Sequence, residues 1–339
     1  MAAGTVLVTG GSGYLAGFLI RRLIADGWSV HATIRDLARE GDVRRALSTD
    51  DSRLRFFAAD LMRDDGWADA AAGCALAAHV ASPFPATAPR HEDDLIVPAR
   101  EGSLRVLRAA RDAGVARVVV TSSAAAIAYG HGKGNRTFSE RDWTNIDAPG
   151  VYPYIKSKTI AERAARDWMA AEGGGMEFCS INPTAILGPV LGNDYSTSLE
   201  LVKKLLEGAF PGTPDFGFGI VDVRDLADLH AMALTVPGLD GERFAASGRF
   251  MKLNDIAHVL KARLGAEARK VPTRKLPDWL VRIVARFDPM VRQVVSELGN
   301  VRDIDASHAQ AVFGWRTRDE ADTIEDTARS LIARGLVKV

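Results

Sequence analysis

A short apolar run, Val6-Leu7-Val8-Thr9, passes directly into Gly10-Gly11-Ser12-Gly13-Tyr14-Leu15-Ala16, after which Leu19, Leu23 and Ile24 recur at helical spacing. Strand, glycine-rich turn and helix in that order open a βαβ unit. The alternation continues. Residues 28–34, 54–58, 75–80, 117–121 and 176–181 read as strands, and 14–26, 43–47, 95–113 and the stretch after Pro153 read as helices. Such alternation implies right-handed crossovers and a parallel sheet covered on both faces. Runs such as Val118-Val119-Val120 fit, since they lack the polar alternation of a strand with one wet face. The expected class is α/β, a Rossmann-type doubly wound parallel sheet.

The second half is less regular. Pro and Gly thicken between Pro183 and Gly219, residues 223–236 read as a helix packing back on the sheet, and from Leu253 onward the chain reads as helices divided by Gly265, Pro272, Pro277 and Pro289. With 339 residues and roughly 150 per domain, the expected division is a dinucleotide-binding domain over 1–182, joined by 216–236. A smaller, mostly helical substrate-binding unit is expected over 183–215 and 237–339.

Composition narrows the function classes. Lys and Arg (43) balance Asp and Glu (43), which argues against a nucleic-acid partner, because such proteins carry surplus cations. Arg269, Lys270, Arg274, Lys275, Arg282, Arg286 and Arg292 accordingly read as solvated helix faces. A hydrophobic fraction of 47% excludes disorder. Two cysteines, Cys74 and Cys179, exclude a disulfide framework, and His91 and His131 lack partners at metal-ligand spacing, so no metal is expected. The start of the chain lacks the basic segment of a signal peptide, and no apolar run reaches the roughly 18 residues of a membrane span. The expectation is a cytoplasmic monomer or homodimer with a small-molecule substrate and no membrane partner.

The glycine-rich turn carries the first functional signal. Gly10 permits the tight turn, Gly13 removes a Cβ where a pyrophosphate approaches, and Ala16 suits close helix–strand packing. The free N–H groups from Gly10 through Ser12, Gly13, Tyr14 and Leu15, with the positive helix end, would hold a diphosphate. The residue after the second strand selects the dinucleotide. Here Ile34 is followed by Arg35 and Asp36. Arg35 suits a 2′-phosphate, with Arg39, Arg44 or Arg45 as a second cation, whereas Asp36 suits a free ribose hydroxyl. NADP(H) is therefore preferred and NAD(H) remains possible.

Tyr154 and Lys158, four apart after Pro153, share one helix face. Tyr152 and Lys156 have the same spacing, but Pro153 suits the first helical turn and leaves Tyr152 outside the helix. A phenol beside an ammonium can protonate an alkoxide as hydride reaches a carbonyl. Thr121-Ser122-Ser123-Ala124 places hydroxyls at the carboxyl edge of the sheet, where ligands of open α/β sheets bind, and Asn182-Pro183-Thr184-Ala185 closes the next strand at that edge.

Taken in order, Thr9 to Ala16, Arg35-Asp36, Asp60-Leu61, His79-Val80-Ala81-Ser82-Pro83, Thr121 to Ala124, Tyr154 with Ser157-Lys158-Thr159-Ile160-Ala161-Glu162, Asn182-Pro183 with Gly188-Pro189, and Val221 to Ala227 resemble the extended short-chain dehydrogenases/reductases. The likeness is greatest to the dihydroflavonol 4-reductase, cinnamoyl-CoA reductase and aldehyde (ketone) reductase branch. The resemblance implies that Asp60 and Leu61 contact adenine, Val80, Ala81 and Ser82 run along the cofactor, Pro183, Ala185 and Ile186 meet the nicotinamide end, and Ser198 meets the diphosphate. It implies Ser123 as the catalytic serine, with Ser122 the alternative, Tyr154 as general acid, and Lys158 as ribose ligand and depressor of the Tyr154 pKa. Asp222 and Asp225 are implied to be structural. Residues 95–108 contain no Asn, unlike many members, and the polar groups that grip a polyphenol have no match.

The expected activity is reversible NADPH-dependent reduction of an aldehyde or ketone at a Ser-Tyr-Lys site. The alternatives are an NAD-dependent nucleotide-sugar epimerase or dehydratase, and an NADP-binding redox sensor without turnover. His79 reads as a core or supporting histidine, and Phe84, Phe210, Phe216 and Phe218 as packing aromatics.

Overall fold

The computed structural model describes residues 4–82, 91–192, 195, 197–287 and 289–338, less the side chains at 197, 289, 290 and 293. Pro83 and Phe84 lie outside the described residues.

The chain begins with β1 (Thr5–Val8), α1 (Tyr14–Ala25), β2 (Ser29–Ile34), α2 (Glu40–Leu47), β3 (Leu54–Ala58), α3 (Trp67–Ala71), β4 (Leu76–His79), α4 (Asp93–Asp112) and β5 (Arg117–Thr121). It continues through β6 (Asn135–Phe138), α5 (Pro153–Glu172), β7 (Glu177–Pro183), β8 (Ala185–Leu187), α6 (Thr197–Leu206), β9 (Gly217–Asp222), α7 (Val223–Thr235) and β10 (Arg243–Ala246). It ends with β11 (Phe250–Lys252), α8 (Leu253–Leu264), α9 (Asp278–Val284), α10 (Pro289–Val295), β12 (Val301–Ile304), α11 (Ser307–Phe313) and α12 (Glu320–Ala333).

Seven strands form one parallel sheet in the order β10-β7-β5-β4-β1-β2-β3. The order reverses between β1 and β4, so the loops after these two strands splay apart at their carboxyl ends and open a crevice there. Val6, Leu7, Val8, Val118 and Val119 have no exposed surface, as expected of strands covered by helices on both faces. On one face α1 packs against α7, on the other α4 packs against α5.

The structure departs from the sequence reading beyond residue 182. The division placed 237 onward in the substrate-binding unit, yet Arg243–Ala246 is the edge strand of the main sheet, paired in parallel with β7. The C-terminal part is not helices alone: β8, β9 and β11 form a three-stranded sheet, and β6 pairs with β12. These strands are three to six residues long, and several are glycine-bearing or carry charges. Their partners lie far away in sequence, so periodicity within the segment does not reveal them.

Asp222 and Asp225 anchor α7 to the C-terminal segment. Asp222 caps α7 by accepting from Arg224 N–H, pairs with the Arg224 guanidinium at 2.7 Å, and accepts from Thr323 Oγ1 at 3.0 Å. Asp225 accepts from Arg318 N–H at 2.7 Å and pairs with its guanidinium at 2.8 Å. The Asp222 side chain is wholly buried, so removing it costs a helix cap and a shielded ion pair together. Asp222→Ala is expected to destabilise the fold by about 2–4 kcal/mol. Denaturant unfolding checks this, and a loss below about 0.5 kcal/mol, the range of ordinary surface changes, would contradict it.

Candidate active site

The turn after β1 is shaped as an anion cradle. Gly10 adopts φ 71°, and a Cβ there would lie 3.0 Å from the Ala81 backbone in the loop after β4. A Cβ on Gly13 would lie 3.0 Å from the Gly10 carbonyl oxygen. Gly13 is the N-cap of α1 and brings no capping side chain, so the first N–H groups of the helix face the crevice without a protein acceptor from the cap. A dinucleotide diphosphate fits that cradle.

Thr9 and His79 hold the two crevice loops together. Thr9 Oγ1 accepts from Val80 N–H at 3.1 Å and Ala81 N–H at 3.0 Å, and lies 2.9 Å from His79 Nδ1. The Ser103 hydroxyl donates to the Ala99 carbonyl at 2.9 Å, leaving its oxygen to accept from His79 Nε2 at 3.2 Å. That places the imidazole proton on Nε2 and makes Thr9 the donor to Nδ1. Burial, with the Lys158 charge nearby, lowers the His79 pKa to about 3, so this residue is a neutral structural link.

Arg35 follows β2, is exposed, and has no ion-pair partner among the described residues. Asp36 is turned into its own chain, where its carboxylate accepts from Ala38 N–H at 2.9 Å and caps a short 3-10 turn. Two of the candidate second cations are committed elsewhere. Arg44 pairs with Glu40 at 2.8 Å, donates to the Leu54 carbonyl at 2.7 Å and lies over the Phe56 ring, and Arg45 pairs with Asp42. Asp60 Oδ1 accepts from Met62 N–H at 2.9 Å, shaping the turn after β3 that carries Leu61.

Across the crevice, Pro153 starts α5 and leaves Tyr152 as its extended N-cap, so Tyr154 and Lys158 stand one above the other inside the helix. Lys158 Nζ lies 5.9 Å from the centre of the Tyr154 ring. The Tyr154 hydroxyl is hydrogen-bonded to the Ser123 side chain. Ser123 Oγ also accepts from Ala125 N–H at 3.1 Å as the cap of a 3-10 turn, so a capping role and a site role coincide in one hydroxyl. Ser122, the alternative, points the other way and donates to Glu162 Oε2 at 2.5 Å.

Burial raises the Tyr154 pKa and the Ser123 hydrogen bond opposes that rise. The phenol therefore stands above its ordinary value here, not below it as the resemblance implies. The ammonium instead donates to Ser82 Oγ at 2.8 Å, which also engages a side chain expected to run along the cofactor. Burial lowers the Lys158 pKa to about 8, against an upward push from Glu162.

Pro183 ends β7 in the core, Ala185 and Ile186 lie in β8 beside it, and Ser198 occupies the first turn of α6, which packs on β8 and α12. Phe216 and Phe218 meet edge to face at 5.7 Å, and Phe210 packs on the main core. Among the described residues no three His, Cys, Asp or Glu side chains cluster as metal ligands, and no helix is long and apolar enough to cross a membrane.

Residues 6–245 match the model of the NAD dependent epimerase/dehydratase family. The chain belongs to that family, the extended short-chain dehydrogenases/reductases. It is an NAD(P)-dependent oxidoreductase. Cinnamoyl-CoA reductase CAD2 of Medicago truncatula is 35% identical over 260 residues, covering 75% of this chain and 77% of the relative. Tetraketide alpha-pyrone reductase 1 of Arabidopsis thaliana is 29% identical over 341 residues, covering 98% and 97%. In fold, the chain is similar to yeast methylglyoxal/isovaleraldehyde reductase Gre2 complexed with NADPH, with a TM-score of 0.81 at 23% identity over 98% of this chain and all of that one.

Proposed function

We propose that this oxidoreductase reduces an aldehyde or ketone to the alcohol with NADPH, reversibly, at Ser123, Tyr154 and Lys158. The observation that carries the reading is the Ser123–Tyr154 hydrogen bond one helical turn from a half-buried lysine, at the carboxyl edge of a sheet whose switch point carries the glycine cradle. NADPH, when bound, supplies the hydride. Ser123 accepts from Ala125 N–H and gives its own proton to the Tyr154 oxygen; a substrate carbonyl entering beside Tyr154 would take that proton in turn. Tyr154, protonated because burial raises it, delivers its proton to the developing alkoxide. Lys158 holds a positive charge against the phenolate left behind. Arg35, exposed with no ion partner among the described residues, and Asp36, occupied as a cap, favour a 2′-phosphate over a free ribose hydroxyl. The same pair disfavours the NAD-dependent epimerase alternative.

The charge on Lys158 sets a pH dependence. An ammonium is the low-pH form, and burial brings its pKa to about 8, so the charge is lost as pH rises through that value. With Tyr154 raised and still protonated there, kcat/KM for reduction is expected to fall above about pH 8. A pH–rate profile checks this, and activity level to about pH 10, where an ordinary lysine titrates, would contradict it.

A further inference from the structure

Glu162 lies one turn beyond Lys158 on α5, with a side chain that has no exposed surface. A carboxylate so buried requires strong compensation, and five donors converge on it. Arg243 from β10 donates through Nε at 2.6 Å and Nη2 at 3.3 Å, Ser122 from the end of β5 donates at 2.5 Å, and Ser180 and Asn182 from β7 donate at 2.9 and 2.7 Å. Burial alone would raise its pKa, but Arg243, Ser122 and Asn182 together hold it below the ordinary glutamate value.

The connections beyond these donors reach the reacting groups. The second proton of the Asn182 amide goes to the Ser123 carbonyl at 3.1 Å. The peptide carrying Ser123 is therefore tethered to one carboxylate from both sides, through the Ser122 hydroxyl and through Asn182. Lys158 and Glu162 also line a common cavity of about 20 Å³ together with His79, Ser82 and Ser122, room for about one water molecule. The other ionisable groups facing this corner are His79 from β4, held neutral, Tyr154 and Arg166 from α5, and Arg243 from β10, which is engaged with Glu162 itself. Glu162 is the one anion beside Lys158 in this set.

We propose that Glu162 is a positioning residue of the active site, which fixes the Ser123 peptide between β5 and β7 and supplies the counter-charge for Lys158. The role is neither that of a proton donor nor that of a substrate ligand. It rests on the Ser123–Tyr154–Lys158 reading.

Glu162→Gln keeps the shape and removes the charge. Folding is checked by thermal unfolding. The variant is expected to lose about ten-fold or more in kcat, since small displacements of reacting groups have effects of this size. The alkaline limb of its kcat/KM profile should move to lower pH by about one unit, as loss of a neighbouring opposite charge requires. Glu162→Asp keeps the charge and shortens the reach, so it is expected to lower kcat while leaving the limb where the parent has it. A parental limb in folded Glu162→Gln overturns the counter-charge role, whatever the loss in kcat. If Glu162→Gln does not fold, the aspartate variant decides: parental kcat overturns the proposal, and a lowered kcat with an unmoved limb supports it. Retained turnover in Tyr154→Phe would sink the underlying reading. An inactive Tyr154→Phe with a parental limb in Glu162→Gln sinks the Glu162 proposal alone.

Discussion

Tyr154→Phe lowers kcat by about 10²- to 10⁴-fold, the range that a positioned general acid contributes, while NADPH binds within about two-fold of the parent. The phenylalanine ring fills the same half-buried space, so packing on α5 is unchanged. Ser123 keeps its bond from Ala125 N–H and with it the 3-10 turn after β5. What disappears is the one hydroxyl bonded to Ser123 beside Lys158. Turnover is read from NADPH oxidation, and cofactor binding from fluorescence titration, so a folding defect and a chemical defect separate. Tyr152 is the control. It is the extended residue before the helix, its pKa is raised by burial with Tyr129 and Tyr154 alongside, and Tyr152→Phe should retain most turnover. If Tyr152→Phe is inactive and Tyr154→Phe active, the acid has been assigned to the wrong ring.

Arg35→Ala should weaken NADPH about 10- to 150-fold and leave NADH within about three-fold. A hydrogen bond to a charged group contributes about 1.5–3 kcal/mol, which corresponds to a loss of affinity of this size. The specificity of the effect for the phosphorylated cofactor is what matters. Arg35 is exposed and carries no ion pair among the described residues, so its removal is expected to cost little stability. Arg44 and Arg45 are held by Glu40 and Asp42 and do not substitute for it. Equal weakening of both dinucleotides would mean that Arg35 supports the loop instead of reading the phosphate.

The first 180 residues were the legible part of the fold. Their strands are apolar, short and spaced by helical patterns, and β3 and β5 lie where the residues place them, at Leu54–Ala58 and Arg117–Thr121. Beyond that point the signal fails for physical reasons. In β10 the first residue is a buried arginine whose charge is met by Glu162, 81 residues earlier. Within the first 180 residues β6 is the exception: three of its four residues are exposed, and its partner strand begins at Val301.

The site was legible as a set of residue types and less so as a network. Pro153 fixes where α5 starts, which puts Tyr154 inside the helix and Tyr152 before it, and Glu162 takes the Ser122 hydroxyl and leaves that of Ser123 outside its network. The Thr9–His79–Ser103 chain went unread, since nothing local announces that a buried histidine bridges β1 and α4. Glu162 did leave a trace. It is a carboxylate on the same helix face as Ile155, Thr159 and Ala165, all buried, and a charge on an apolar stripe calls for a buried partner.

The most direct test of the account is a spectrophotometric screen of NADPH oxidation by the full chain against aromatic aldehydes and β-keto esters, with alcohol product measured in parallel. NADPH consumption matched one-for-one by alcohol is expected for at least part of the panel. Tight NADPH binding with no oxidation across the whole panel would contradict it.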